Sequence, residues 1–306
     1  MPSTPCRLVL AVFGPTASGK SAVAEALATR TGGEIVSADS MQVYRGVPIL
    51  TAQPEFPTRL VAIWPLSHEA SVSEYAALAH TEIDALLDAG RVAIVVGGTG
   101  LYLRAALAEL DLPPAPGPGV RERWEGLYDE RGGEASHALL AERDPAAAPA
   151  VHPNDRRRVV RALELAEAGA SLRPSHGRLW TEETRQPTIV FGLDMPSEEL
   201  DLRIAERVRA MLDAGAAAEA RRALAGPISS TARHILGLRE LAELPTAEAH
   251  AALVARTRRY AAYQRKWMRR IPGLVTVSGD RPTGEIADEI LEVARTRQHV
   301  PAHRAG

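Results

Sequence analysis

The sequence predicts an α/β fold: a parallel sheet flanked by helices and interrupted by an all-helical insertion. Three observations carry that expectation. An apolar run at residues 7–13 leads through Gly-Pro-Thr-Ala-Ser-Gly-Lys-Ser into a helix-compatible stretch. A second continuous apolar run, 92–96, ends in Gly97-Gly98-Thr99-Gly100 and opens another helix. Strand-like and amphipathic stretches alternate up to residue 112, and the strand pattern resumes only at 188. Such alternation suits a doubly wound sheet, whose strands, buried on both faces, are apolar throughout.

Each element has a local reason. After the strand at 7–13, a helix runs to about Arg30 and is ended by Gly32-Gly33; residues 34–37 form a second short strand. Residues 60–66 read as a third strand. A helix over 71–88 opens with Ser71 and Glu74 at capping-box spacing and closes at Gly90. Residues 112–118 are rich in proline, and 120–183 are helix-like without a strand. Strands return at 188–193 and 274–278, and the last ten residues read as a frayed tail. The predicted organisation is a core of residues 1–112 and 187–306 around a helical insertion at 113–186.

Bulk composition narrows the class. The chain has 306 residues, is 45% hydrophobic and 24% charged, and carries a formal charge of −2. Its total charge supplies no general attraction to nucleic acid, so an RNA site must come from local clustering of arginine. No apolar run approaches the ~20 residues of a membrane helix. The single cysteine, Cys6, excludes an internal disulfide and fits a reducing cytoplasm; no cysteine–histidine cluster suggests a zinc module. The short apolar run near the N-terminus reads as a buried strand rather than a signal peptide.

Gly14, Pro15, Thr16, Ala17, Ser18, Gly19, Lys20 and Ser21 match the phosphate-loop pattern in its required place, after a strand and before a helix. Backbone amides, the helix start and the Lys20 ammonium would meet phosphate oxygens, and the Ser21 hydroxyl would meet Mg²⁺. The loop specifies a diphosphate or triphosphate and no more. The aspartate that many nucleotide hydrolases carry at a second core strand is missing here, because 92–96 ends in Gly-Gly-Thr. An acid instead follows the strand at 34–37, as Asp39. A carboxylate on the rim beside a bound diphosphate is repelled by it. Its presence has two readings: a base for an incoming nucleophile, or a loop aspartate that caps a turn.

Two helices put arginines on display. From Asp155, rotation of about 100° per residue places Val159, Val160 and Leu163 on one face and Arg157, Arg158 and Arg161 on the other. Such a face is either solvated or meets a nucleic-acid backbone. In 246–270, Leu253, Thr257, Tyr260, Gln264 and Trp267 share a stripe flanked by arginines. Gln264 therefore sits where a buried amide must find partners, either in a neighbouring loop or at the rim of a site. Tyr263 and Trp267 have the ring area to stack on a base, with core packing the competing role for Trp267.

GPTASGKS from Gly14, SADSMQVYRG from Ser37, GGTGLY from Gly97, HPNDRRRVVRALE from His152 and TRRYAAYQRKW from Thr257 occur in one order along nearly the whole chain. Together they resemble the bacterial tRNA dimethylallyltransferases. The resemblance implies a core like that of P-loop NTPases. It implies dimethylallyl diphosphate as donor, Mg²⁺ as cofactor, and the adenine 3′ of the anticodon in tRNA as acceptor. It assigns catalysis to Asp39, Thr99 and Lys20, and adds Arg203 and Arg207 to the diphosphate site. It assigns tRNA contact to Asp39, Ser40, Met41, Gln42, Thr99, Arg121, Arg157, Arg158 and Arg161. A monomer in the cytoplasm is expected. The chain departs from the family pattern at Gln53, where a lysine is usual, at residues 57–62, at Gly237-Leu-Arg-Glu240, and within Tyr260-Ala-Ala-Tyr-Gln-Arg-Lys-Trp267. Rival readings are a small-molecule kinase, an isopentenyltransferase acting on free AMP or ADP, and an RNA-binding sensor of a diphosphate.

Overall fold

Strand β1 (Val9–Phe13) is apolar and buried at every position, because it lies inside a sheet covered on both faces. The computed structural model describes residues 7–112, 117, 119–172 and 178–298. Most of the proline-rich stretch 112–118, and the last eight residues from 299 on, lie outside the described residues.

From β1 the chain enters α1 (Lys20–Thr31), β2 (Glu34–Ser37), the single turn α2 (Pro48–Thr51), β3 (Thr58–Arg59), α3 (Val72–Asp88), β4 (Ala93–Gly97) and α4 (Gly100–Leu107). Ser71 caps α3 as its spacing predicts, its side chain accepting from the Glu74 N–H at 3.2 Å. The helices α5 (Val120–Arg143) and α6 (Arg156–Glu167) follow. The chain then runs through β5 (Thr188–Asp194), α7 (Ser197–Asp213), α8 (Ala216–Ala225), α9 (Leu238–Glu243), α10 (Thr246–Met268), β6 (Val275–Ser278) and α11 (Thr283–Gln298).

All six strands are parallel, in the order β3-β2-β4-β1-β5-β6. Alternate residues feed opposite faces, as strand geometry dictates. Val9, Ala11 and Phe13 join a core with α3, α4, α8 and α10, whereas Leu10 and Val12 join one with Val23 and Leu27 of α1 and Ile286 and Ile290 of α11. The fold is the α/β, P-loop NTPase-like sheet that the sequence predicts.

The strand expected at 60–66 does not form; β3 is confined to Thr58 and Arg59. Leu60 and Ala62 have φ of +63° and +53°, left-handed values that break an extended run. The segment instead pairs with the stretch after β2: Trp64 N–H donates to the Val43 carbonyl at 2.9 Å and Arg45 N–H to the Trp64 carbonyl at 2.8 Å.

The chain divides into two compact units, one of residues up to Glu109 and from Trp180, the other Leu110–Leu179. In the smaller unit α5 and α6 pack around Trp124, Leu140, Val159, Val160 and Leu163. Helix α5 is broken at Gly132, where φ is +81°. Among the described residues no helix is long and apolar enough to cross a membrane.

Candidate active site

The phosphate loop fills the turn between β1 and α1. Ala17 and Gly19 take φ of +65° and +85°, and the loop ends with Lys20 as the first residue of α1. Glycine at 19 makes that second left-handed step without a Cβ penalty. A cavity of about 450 Å³ opens against the loop, and Lys20, Ser21, Arg203, Glu206 and Arg207 line it. The loop, the helix start and the two α7 arginines are thus brought together around one cavity, as the family resemblance implies.

The cations differ in how they are held. Arg203 pairs with Glu199 one turn earlier on α7 at 2.8 Å. Arg207 has no hydrogen-bond or ion-pair partner among the described residues, and its burial pulls its pKa down while the Asp39 charge pulls it up. The Lys20 ammonium reaches the Pro15 carbonyl only at 3.4 Å. Burial first, and the Arg207 charge after it, bring the Lys20 pKa down to about 8 against the opposing pull of Asp39. Surface area leaves Lys20 partly exposed, so the protein atoms crowded around its ammonium, rather than full enclosure, supply that desolvation. Each unsatisfied cation is a group that a bound anion would satisfy.

Not every loop group faces the cavity. Gly14, Pro15, Thr16 and Ser18 are buried. The Thr16 N–H is committed to the Gln264 side-chain carbonyl at 2.7 Å, which corrects the expectation that it meets phosphate. The Ser18 hydroxyl is 1% exposed at the residue level and has no partner among the described residues.

Asp39 follows β2 at the carboxyl end of the sheet, the end at which the phosphate loop also leaves β1. Its Oδ1 accepts the Met41 N–H at 2.9 Å in a local turn, and Oδ2 has no partner among the described residues. One oxygen thus caps a turn, and the other is left free to meet a ligand. Its charge raises the pKa values of Tyr75, Tyr102 and Tyr260, each already raised more strongly by burial. Thr99 lies at the end of β4. Its Oγ1 accepts from the Ser40 N–H at 3.3 Å and meets the Ser40 hydroxyl at 3.2 Å and the Tyr260 hydroxyl at 3.4 Å. Tyr260 was not an expected site residue; its place in the α10 stripe beside Gln264 was the only signal.

The residues after Asp39 are less free than expected. Met41 packs against the core. The Gln42 amide donates to the Ala52 carbonyl at 3.0 Å, and its carbonyl accepts from the Ser37 hydroxyl at 2.9 Å. Gln53 donates to the Tyr44 carbonyl at 2.6 Å, so the departure from lysine supplies a neutral tie inside this loop. Gln264 resolves the other anomaly: it is 1% exposed, and its amide donates to the Gly98 carbonyl at 2.9 Å.

In the smaller unit Arg157 and Arg158 are exposed, without an ion-pair partner among the described residues. Arg161 is not on that open face. It bonds the buried carboxylate of Glu164 at 2.8 Å, and Arg121 bonds the same group at 2.9 Å. A buried carboxylate needs such partners, and sequence reading left Glu164 out.

The family model described as "IPP transferase" matches residues 42–271, and one described as "Isopentenyl transferase" matches residues 7–56. The chain is 43% identical over 288 residues to a tRNA dimethylallyltransferase of Streptomyces coelicolor, covering 90% of this chain and 91% of that protein. It is 43% identical over 292 residues to one from Thermobifida fusca, with 90% and 91% covered. The crystal structure of a tRNA isopentenylpyrophosphate transferase from Bacillus halodurans is 30% identical, with a TM-score of 0.65, over 96% of this chain and 100% of that one. Sequence, fold and the loop-to-rim arrangement agree, and the chain belongs to the tRNA dimethylallyltransferase family of prenyltransferases.

Proposed function

We propose that the protein transfers a dimethylallyl group from dimethylallyl diphosphate to the exocyclic amine of the adenine 3′ of the anticodon in tRNA. The observation that carries this reading is the free Oδ2 of Asp39, whose charge is felt at both Lys20 and Arg207, two cations of the phosphate-loop cavity. The names of the relatives support the acceptor and the group transferred.

In this reaction the amine nitrogen forms a bond to the allylic carbon as the carbon–oxygen bond to diphosphate breaks. Asp39 Oδ2 takes the proton that the amine sheds, and Thr99, tied to Ser40 and Tyr260, orients the amine. Lys20, Arg207 and the loop amides other than that of Thr16 take the charge growing on the departing diphosphate. Among the described residues no group of three or more acidic, histidine or cysteine side chains is placed to hold a metal. Mg²⁺ fits nonetheless, because it keeps several waters and takes few protein ligands in phosphate sites. Ser21 and Glu206, both lining the cavity, would hold it, and it would add positive charge at the diphosphate. Arg157 and Arg158 would meet the tRNA backbone, with Arg121 and Arg161 reaching it beside their Glu164 contacts. The protein acts as a cytoplasmic monomer.

The test follows label from dimethylallyl diphosphate into unmodified tRNA carrying adenine 3′ of the anticodon. AMP runs in parallel, and ATP with Mg²⁺ serves as a kinase control. Label in tRNA alone is expected. Label in AMP alone would discard the RNA acceptor, and label in neither would discard the transfer.

A further inference from the structure

Helix α10 meets the active-site loops with three side chains of one stripe, Tyr260, Gln264 and Trp267. Tyr260 reaches the Thr99 hydroxyl. Trp267 lies against Gly100, where an added Cβ would stand 2.2 Å from the indole. Between them Gln264 bonds both loops at once, accepting from Thr16 N–H of the phosphate loop at 2.7 Å and donating to the Gly98 carbonyl, next to Thr99, at 2.9 Å. A methionine would occupy a similar length in this buried place without needing partners. The amide therefore has a specific use. It withdraws one loop amide from the ligand and fixes the separation of two backbones that β1 and β4 would otherwise set alone.

We propose that Gln264 is a positioning residue that holds the leaving-group loop and the Thr99 loop at reacting distance. The proposal rests on the transfer reaction above. Group transfer between two bound partners needs the reacting atoms about 3–3.5 Å apart, and a misplacement of about 1 Å costs on the order of 10²-fold. Among the described residues no other side chain hydrogen-bonds both loops.

Three substitutions test it. Gln264→Met removes both hydrogen bonds, while Gln264→Glu keeps the acceptor for Thr16 and loses the donor to Gly98. Gly98→Ala attacks the same contact from the other side, since its Cβ would stand 2.2 Å from Gln264 Nε2. In each folded variant kcat for tRNA should fall about 10- to 100-fold. In Gln264→Met and Gly98→Ala the Kd for inorganic diphosphate should stay within about threefold, because the cavity cations are untouched and no charge is added. Gln264→Glu adds a carboxylate beside the loop, so only its kcat at saturating donor is read. A folded variant with near wild-type kcat, or a folded Gln264→Met or Gly98→Ala whose diphosphate affinity falls in step with kcat, overturns the role. Should Gln264→Met fail to fold, Gln264→Glu and Gly98→Ala decide. A wild-type protein without transfer overturns the functional reading and this role together; an active wild type beside an equally active variant overturns this role alone.

Discussion

Asp39 stands where a carboxylate is electrostatically unwelcome once a diphosphate is bound, and its free Oδ2 gives that cost a purpose. Asp39→Asn keeps the shape and the turn-capping oxygen but cannot take a proton. Transfer should fall by about 10²–10⁴-fold in single-turnover assays. Inorganic diphosphate should bind as well or better, because a repelling charge is gone. An unchanged rate would remove Asp39 from the reaction. Lys20 sets the pH dependence. Its ammonium has a pKa of about 8 in the free protein, and a bound diphosphate favours the charged form. Donor affinity should therefore be full below pH 8 and decline as pH rises through it. The kcat/KM for the donor reads this directly as a basic limb. Lys20→Arg should abolish the limb, since guanidinium does not titrate in this range. In Asp39→Asn the limb should move to lower pH, because Asp39 raises the Lys20 pKa. A flat profile between about pH 7 and 10 would take the ammonium away from the diphosphate.

At the scale of elements, what the sequence revealed depended on how local the cause was. Strands β1, β4 and β5 were legible because parallel strands buried on both faces need apolar runs, and those runs stand out against amphipathic helices. Strand β2 and the edge strand β6, where only Val277 is buried, are shorter runs of the same kind. The strand expected at 60–66 was not, because two left-handed residues turn an apolar stretch toward residues 43–45. The phosphate loop and Asp39 were legible as motifs. The partners of Gln264 were not, since Thr16 lies 248 residues away and no local pattern encodes that contact. Helix α6 shows the same limit: helical rotation grouped Arg157, Arg158 and Arg161, but Glu164 draws Arg161 and Arg121 to itself. The basic face that remains is Arg157 with Arg158. Replacing both by alanine should weaken tRNA binding and reduce the slope of log affinity against log salt by about 1.4–1.8, since each lost phosphate contact removes about 0.7–0.9. Arg161→Ala should reduce the slope less and lower the thermal stability more, because it strips a partner from a buried carboxylate. An unchanged slope in the double variant would make that face a solvated one.

For the whole molecule, the proposed roles fall on different units. Every residue proposed to touch diphosphate, and the Asp39–Thr99–Tyr260 cluster, belongs to the unit that carries the sheet. The exposed arginine pair belongs to the other unit, which has its own apolar core. The chain leaves and re-enters the sheet unit through segments that are tied together. The Arg185 N–H donates to the Leu107 carbonyl at 2.8 Å, and the fully buried Arg104 donates to the Thr181 carbonyl at 2.9 Å. A short flexible linker can therefore replace residues 110–179 without pulling these ties apart, and closing so short a loop costs little entropy. The deleted protein should unfold cooperatively and bind inorganic diphosphate with a Kd near that of the full chain, as isothermal titration would show. Its transfer to tRNA should be lost by at least about 10³-fold, the order expected when several phosphate contacts vanish together near physiological salt. Retained transfer would place tRNA recognition in the sheet unit itself. Loss of diphosphate binding in a folded product would show instead that the helical unit helps to shape the phosphate loop, and the division of labour argued from the two cores would fail.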